Sequence, residues 1–277
     1  MSIEFLLYVI FFGLFGSMLG SFLNVVIYRL PRKESIVFPG SRCPECNTPI
    51  KYRDNLPVVG YLLLGGRCRS CSEPISYIYP LVELLTAFMV IGLFVLNWNR
   101  FNGSFFSGSL FHKPFLTNFL ADVSLGSVLL VAFAIDLRHM IIPDSLNLLG
   151  GIIAVILSFR WGYAGIVRGI GGAFVGLAIL TVMIIMGRLL FKREGIGMGD
   201  MKLAVVIGLF VGPLWSFITF IIAVFAGGIW GAYTLLTKRV EKGQEVPFGP
   251  FIAIGGYSVL FFKREIFFLI DRYLSLF

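Results

Sequence analysis

Two aspartates in apolar surroundings are the residues best suited to chemistry in this sequence. Asp136 follows a long apolar run, and Asp200 ends the segment Gly-Met-Gly-Asp at residues 197–200, just before another run. A carboxylate at a membrane boundary is costly unless it has a partner or a task. Two carboxyl groups brought together by folding can share one proton, activate a water molecule and polarise a peptide carbonyl. The pair therefore indicates peptide hydrolysis without a covalent intermediate or a catalytic metal.

The same aspartates also have structural interpretations. An aspartate at the start of a helix is favoured by the helix dipole, so capping and catalysis are both compatible with Asp200. Asp144 follows Pro143 and precedes an apolar run, and we interpret it as a helix cap. His139 lies beside Arg138 in a short loop and is better explained as an interfacial residue than as a catalytic base.

All four cysteines lie in one short segment. Cys43 and Cys46 form one Cys-x-x-Cys pair, and Cys68 and Cys71 form another, with residues 47–67 between them. This spacing is close to that of a zinc ribbon, in which two turns deliver four thiolates to a tetrahedral Zn²⁺. Because four thiolates leave no open coordination position, we expect one structural zinc ion. A redox role for the pairs is the alternative.

The composition describes the environment in which these residues must work. The 277 residues are 57% hydrophobic and 14% charged, and the mean hydropathy is +0.90, whereas a soluble domain has about 25% charged residues. The chain is therefore predicted to be a polytopic membrane protein in contact with lipid. The formal charge of +8 does not indicate nucleic-acid binding, because the basic residues lie between apolar runs, as the positive-inside rule requires.

Eight apolar runs predict an all-α polytopic membrane protein with about eight transmembrane helices. They lie at about 5–27, 77–97, 116–137, 144–160, 165–190, 202–214, 215–236 and 248–262. The first run has no small-residue cleavage site, so we expect a retained span rather than a signal peptide. The run at 202–214 is short, and Gly212-Pro213 predicts a tight turn after it; seven spans with one kinked helix is the alternative. Residues 265–277 are compatible with an amphipathic interfacial helix.

The distribution of charge predicts the orientation. In the eight-span scheme, the segments on the side of residues 28–76 carry sixteen of the 23 Lys and Arg residues. This bias predicts that both termini lie outside and that residues 28–76 form a small cytoplasmic zinc-ribbon insert. Asp136 then ends an inward-running span and Asp200 precedes an outward-running one. Both aspartates are therefore expected on the cytoplasmic side, at similar depth.

An acidic residue and two glycine-rich segments are also notable within the apolar runs. Glu83 lies inside the second apolar run, where a structural hydrogen bond and a functional role are both compatible with its position. Two spans are rich in glycine, at residues 169–176 and 227–231, which we attribute to close helix packing.

Several motifs occur in a fixed order along nearly the whole chain. They are residues 20–31 (Gly-Ser-Phe-Leu-Asn-Val-Val-Ile-Tyr-Arg-Leu-Pro), the two cysteine pairs, residues 79–83 (Tyr-Pro-Leu-Val-Glu), residues 136–144, residues 197–200 and residues 247–251 (Pro-Phe-Gly-Pro-Phe). This ordered set resembles the type IV prepilin leader peptidases, membrane aspartic proteases of the GxGD type that also N-methylate their product. Presenilin-type proteases share the GxGD motif but pair it with Tyr-Asp, whereas Ile135 precedes Asp136 here.

The resemblance implies specific roles and a specific substrate. Asp136 and Asp200 match the two catalytic aspartates, and the four cysteines match the zinc-binding set. The substrate would be a prepilin or a type II secretion pseudopilin, whose basic leader is cut on the cytoplasmic side of the bacterial inner membrane. The new N-terminal residue would then be methylated with S-adenosylmethionine.

The implied organisation has three parts and leaves alternatives open. Residues 1–27 would be the first transmembrane helix, residues 28–76 the zinc-binding domain associated with methyl transfer, and residues 77–277 the peptidase core. The sequence has no glycine-rich loop of the Rossmann type, so the methyl-donor site is unassigned, with Glu83 as a speculative participant. The alternatives are a peptidase without methylation, and a transporter or assembly scaffold that uses the aspartates for ion coupling. The oligomeric state is left open.

Overall fold

The structure is a computed structural model that describes residues 3–101, 113–191, 197–237 and 246–275. Regular structure in these ranges is helical, and strand pairing is limited to the isolated bridges Arg42–Pro49 and Arg67–Pro74. The chain divides into two compact units, Met1–Gly108 and Ser109–Phe277. The predicted all-α fold class is therefore confirmed for the described part of the chain.

The first unit consists of two long helices and the cysteine-containing insert between them. Its helices are α1 (Ile3–Arg29), the short α2 (Val59–Leu63) and α3 (Ile78–Arg100). Small residues on α1 let its backbone approach α3 closely, because a Cβ on Gly20 would lie 2.7 Å from the Glu83 Cα. Nearer the start of α1, the rings of Phe12 and Phe94 stack with centroids 4.5 Å apart. The two helices are thus antiparallel neighbours.

The second unit is a bundle in which a short helix packs against four longer ones. Its helices are α4 (Lys113–His139), α5 (Asp144–Ser158), α6 (Gly162–Phe191), α7 (Met198–Val211), α8 (Pro213–Leu236) and α9 (Gly249–Leu274). Helix α7 contacts α4, α5, α6 and α8. Leu203 and Ile207 on α7 are fully buried, as is Ile135 on α4. This central position of α7 determines where Asp200, near its start, can lie.

Glycine allows α6 and α7 to touch through their backbones. A Cβ on Gly172 would overlap the Gly208 carbonyl, and a Cβ on Gly208 would overlap the Gly172 carbonyl. The predicted packing role of residues 169–176 is therefore confirmed. In the second glycine-rich span, a Cβ on Gly227 would lie 3.5 Å from the Phe251 ring, whereas Gly228 and Gly231 have open space within 4 Å among the described residues. The predicted packing role is therefore observed there for Gly227 alone of these three glycines, in the described part of the chain.

Five segments of the described chain are long and apolar enough to cross a membrane. They are Ile3–Arg32, Ile78–Arg100, Pro114–His139, Asp144–Leu189 and Pro213–Thr234. The fourth segment contains α5 and all but the last two residues of α6, whereas α7 and α9 are not among the five. Gly212, with φ +81°, separates α7 from α8, so the predicted tight turn is present and one continuous kinked helix is not. The figure of eight spans stays a prediction.

Two predictions from the sequence concern segments that lie partly outside the described residues. The proposed interfacial segment follows a kink at Phe262 in α9, and its last residues, 276–277, lie outside the described ranges. Residues 192–196 and 238–245, which carry five of the basic residues used to predict orientation, also lie outside them.

Candidate active site and metal centre

Asp136 lies in the last turn of α4, and its carboxylate is held by the start of another helix. The residue is 5% exposed. Its Oδ2 accepts a hydrogen bond of 2.8 Å from the backbone N–H of Gly249, the first residue of α9. The first N–H groups of a helix have no partner within the helix and attract anions. The Asp136 carboxylate, which lies in apolar surroundings, therefore has a hydrogen-bond donor.

Asp200 is the third residue of α7 and is 7% exposed. Its Oδ2 accepts a hydrogen bond of 3.0 Å from the N–H of Gly197, the residue that precedes the helix. This contact is one half of a capping box. The capping interpretation therefore describes one oxygen of Asp200, and it does not exclude chemistry at the carboxyl group as a whole.

The two aspartates belong to the same unit and interact with each other. Helices α4 and α7 contact each other, and Asp136 lies close enough to Asp200 for an electrostatic interaction between the carboxyl groups. Neighbouring buried carboxyl groups oppose each other's ionisation, so a proton on one of them is favoured. This arrangement can combine a proton acceptor and a proton donor at one place.

The first turn of α5 supports the glycine-rich segment that leads to Asp200. Gly199 packs against Ile142, because a Cβ on this glycine would lie 3.0 Å from the Ile142 carbonyl oxygen. Asn147 Nδ2 donates a hydrogen bond of 3.3 Å to the Gly199 carbonyl, and Lys202 Nζ lies 2.6 Å from Asp144 Oδ1. The first two contacts hold the backbone at Gly199, next to Asp200, whereas the exposed ion pair adds little to this.

The interpretation of Asp144 as a helix cap is wrong. Pro143 occupies the cap position of α5, and no side chain caps this helix. Asp144 is the first residue of α5, where the dipole favours its charge, and its carboxylate is used instead for the ion pair with Lys202. The partner lies 58 residues away, so local sequence alone does not reveal the pair.

Two residues that support the aspartates were missed by the sequence analysis. Gly249 lies in the Pro-Phe-Gly-Pro-Phe motif, but its contact with Asp136 spans 113 residues. Asn147 is 5% exposed, and its Oδ1 has no hydrogen-bond partner among the described residues. An amide in the otherwise apolar α5, three positions after Asp144, was the available signal for Asn147.

Glu83 has a clear structural role in the first unit. The residue is 8% exposed, and its Oε2 accepts a hydrogen bond of 2.7 Å from the Val58 N–H. Val58 has φ +60° and ψ −51°, and the Val59 N–H bonds to the Pro57 carbonyl at 2.6 Å. This is a classic γ-turn, which is strained for a β-branched residue. Glu83 therefore holds the strained turn of the insert against α3.

The four cysteines lie together in the first unit. Their Sγ atoms all lie within 4.8 Å of one another, and those of Cys43 and Cys71 are 3.8 Å apart. A tetrahedral site with Zn–S bonds of about 2.3 Å has sulfur atoms roughly 3.8 Å apart. The four thiols could therefore hold a metal ion, and their number and spacing fit Zn²⁺.

The two cysteine turns share one backbone pattern. In the first, the Cys43 N–H bonds to the Thr48 carbonyl and the Asn47 N–H bonds to the Cys43 carbonyl. In the second, the Cys68 N–H bonds to the Glu73 carbonyl and the Ser72 N–H bonds to the Cys68 carbonyl. Hydrogen bonds with the Thr48 side chain and backbone lower the pKa of the Cys46 thiol to about 6. A hydrogen bond with the Glu73 backbone acts in the same direction on the Cys71 thiol, but burial and hydrogen bonds with the neighbouring thiols instead raise the pKa of Cys71 to about 12. The form that binds metal is the thiolate, and a closed site needs it at all four cysteines.

Comparison with known proteins assigns the chain to a family. The model described as "Bacterial Peptidase A24 N-terminal domain" matches residues 14–97, and that of the "Type IV leader peptidase family" matches residues 123–232. A prepilin leader peptidase/N-methyltransferase of Aeromonas salmonicida is 32% identical over 91% of this chain and 90% of its own length. The chain belongs to the prepilin leader peptidase family. No solved structure matches it.

The family is represented in several bacteria. A protein with the same name from Pseudomonas aeruginosa is 31% identical over 91% of this chain and 90% of its own length. One from Neisseria gonorrhoeae is 28% identical over 88% and 87%, respectively. The first family match lies within the first unit and contains the cysteines, and the second lies within the second unit and contains both aspartates. With its five apolar segments, this family member is a multi-pass membrane protein.

The cysteine geometry predicts one bound metal ion per chain, and we expect it to be zinc. Between residues 30 and 77, Cys43 and Gly60 are the only buried residues, so this segment has almost no apolar core and we expect its folding to depend on the metal. Elemental analysis of the purified chain should show one zinc ion. The double variant Cys43→Ser/Cys71→Ser should lose the ion and become sensitive to protease within residues 30–77.

Ser70→Ala is the matched control, because it alters the second cysteine turn without removing a thiol, and it should keep the ion. A metal-free wild-type chain, or metal content unchanged in the double cysteine variant, would contradict the assignment.

Proposed function

We propose that this chain removes the leader peptide from type IV prepilins or type II secretion pseudopilins and methylates the new N-terminal residue. The relatives are named prepilin leader peptidase/N-methyltransferase, and the chain aligns with them over most of its length. The observation that carries the proposal is the interacting, buried pair Asp136 and Asp200, in which each carboxylate accepts a backbone N–H.

In the proposed cleavage, the two carboxyl groups share one proton before the reaction. The ionised group takes a proton from a water molecule, and the resulting hydroxide adds to the scissile carbonyl carbon. The protonated group donates its proton to the carbonyl oxygen as the tetrahedral intermediate forms. Collapse of that intermediate breaks the C–N bond and returns a proton to the leaving amine. The Gly249 and Gly197 N–H groups keep the carboxylates in position throughout.

The proposed orientation places this chemistry at the cytoplasmic side of the inner membrane. Asp136 is near the end of α4 and Asp200 is near the start of α7, so opposite helix directions bring them to one end of the unit. The positive-inside distribution favours that end as the cytoplasmic one. A basic leader would be attracted to the acidic pair, while the adjoining apolar segment of the pilin stays in lipid.

We assign the first unit to zinc binding and methyl transfer. Cys43, Cys46, Cys68 and Cys71 would hold one Zn²⁺, which supplies folding energy to residues 28–76. The methyl donor would be S-adenosylmethionine, and this part of the proposal is supported by the names of the relatives. Glu83 stays a speculative participant, since its hydrogen bond to Val58 already gives it a structural role.

The proposal is tested by incubating the purified chain in lipid with a prepilin and isotopically labelled S-adenosylmethionine. We expect cleavage before the apolar segment of the pilin and one labelled methyl group on the new N-terminal amine, both read by mass spectrometry. Cleavage without the label would support a peptidase that does not methylate. An absence of cleavage across several prepilins and pseudopilins would favour the transporter or scaffold hypothesis.

Gly249→Ala should impair cleavage by displacing Asp136. The new Cβ would lie 2.7 Å from Asp136 Oδ2 and 3.0 Å from its Cγ, so the carboxylate must move although the N–H donor is retained. A displacement of about 1 Å costs on the order of 10²-fold in rate, and we expect a loss of that order in kcat with little change in KM.

Gly228→Ala is the matched control, because a Cβ at Gly228 meets nothing within 4 Å, and its rate should equal that of wild type. A Gly249→Ala enzyme with the wild-type kcat would show that the position of Asp136 is not important for cleavage.

A further inference from the structure

A recess lined by two arginines lies at the end of the second unit away from the aspartates. Helix α5 runs from Asp144 to Ser158, and α7 runs from Met198 to Val211, so their ends lie about 20 Å from their starts. The lining includes Ser158, Arg160, Trp161, Arg168, Leu209 and Gly212. Neither the aspartate pair nor the cysteine cluster uses these residues.

Each arginine makes one hydrogen bond to the end of a helix. Arg160 Nη1 donates to the Leu157 carbonyl at 2.8 Å, and Arg168 Nη2 donates to the Val211 carbonyl at 3.0 Å. These bonds satisfy carbonyl groups at the ends of α5 and α7. A guanidinium has five N–H donors, and Arg160 Nε is buried without a hydrogen-bond partner among the described residues. Helix capping therefore does not account for all the donors in the recess.

The local charge also calls for a further anion. Arg160 and Arg168 line the same recess, and Asp122 is the acidic residue that interacts with Arg160. Among the described residues, these two guanidinium groups face one carboxylate, which has further interactions of its own, so the recess carries an excess of positive charge. Charges at the boundary of an apolar unit are costly unless they are paired. One additional negative charge in the recess would offset this excess and lie beside both guanidinium groups.

The surroundings of the recess indicate what kind of molecule carries that charge. Large apolar side chains around it are exposed, including Phe159, Trp161 and Tyr163. Aromatic residues of this kind are typical of the level of lipid headgroups. Guanidinium groups bind phosphate oxygens through paired hydrogen bonds. The recess is shallow, so the rest of a ligand must lie outside it, against these apolar side chains.

We propose that Arg160 and Arg168 bind the phosphodiester of an anionic phospholipid, with its acyl chains against the apolar surface around Trp161. Free phosphate has the same charged group but lacks an apolar part. A zwitterionic phospholipid brings its own cation and leaves the excess positive charge in place. The site would be independent of peptide cleavage, because it lies at the opposite end of the second unit from the aspartates.

The test measures lipid binding to the full chain in neutral detergent by native mass spectrometry. The ligands are phosphatidylglycerol, phosphatidylcholine of the same acyl chains, and inorganic phosphate. We expect phosphatidylglycerol to bind more tightly than phosphatidylcholine. Arg160→Gln and Arg168→Gln should each weaken the binding of phosphatidylglycerol by about fivefold. This factor corresponds to the attraction between one basic residue and an anionic headgroup. Binding of phosphatidylcholine should not change.

Arg188→Gln is the matched control, because Arg188 lies on α6 with Arg168 but 20 residues further along, at the other end of this helix. It should bind phosphatidylglycerol as wild type does. A second pair of variants leaves both arginine caps intact if their removal prevents folding. Trp161→Glu adds a negative charge at the recess and should weaken the binding of phosphatidylglycerol. Trp161→Gln changes the shape of the side chain without adding charge and should weaken this binding less.

Two results would overturn the proposal. The first is phosphatidylglycerol binding that is unchanged in Arg160→Gln, Arg168→Gln and Trp161→Glu, or that is reduced equally in Arg188→Gln. The second is inorganic phosphate that binds with the same dependence on both arginines and displaces phosphatidylglycerol, which would make this a site for free phosphate rather than for lipid.

Discussion

Carboxylates removed from water need hydrogen-bond donors, and the second unit is arranged around this requirement. Asp136 accepts a hydrogen bond from the N–H of Gly249, and Asp200 accepts one from the N–H of Gly197. Each aspartate is therefore bonded to the beginning of a helix. The Gly249 bond fixes where α9 starts relative to the end of α4, whereas the Gly197 bond caps the start of α7 itself. Close packing of α6 on α7 at Gly172 and Gly208 then holds the short, buried α7 in the centre of the bundle.

The first unit is subject to a different constraint, because its insert lacks an apolar core. Its four thiols lie within 4.8 Å of one another, and a metal ion bound by them would substitute for such a core. The bidentate pair between Arg69 and Asp54, with distances of 2.9 and 2.6 Å, ties the second cysteine turn to the preceding loop. Glu83 ties the strained turn at Val58 to α3. The insert is thus held by polar contacts and thiol chemistry rather than by buried apolar area.

The sequence predicted those features that depend on local pattern. Apolar runs predicted the long helices, the cysteine spacing predicted the thiol cluster, and Gly212-Pro213 predicted the turn between α7 and α8. Local pattern could not reveal contacts made across long stretches of chain. Gly249 meets Asp136 across 113 residues, and Lys202 draws Asp144 away from the capping role that its position suggested. The membrane boundaries of α7 and α9 stay predictions, because one helix is short and the other is partly polar.

The most direct measurement is the initial rate of prepilin cleavage in lipid by wild type, Asp136→Asn and Asp200→Asn. Asparagine keeps the size of each side chain but removes its charge and its shared proton. If the aspartates act together, each variant should lose about 10³-fold or more in kcat, while the exposed control Asp271→Asn keeps the wild-type rate and all variants keep their metal. Either asparagine variant cleaving within about tenfold of wild type would contradict the assignment of the pair.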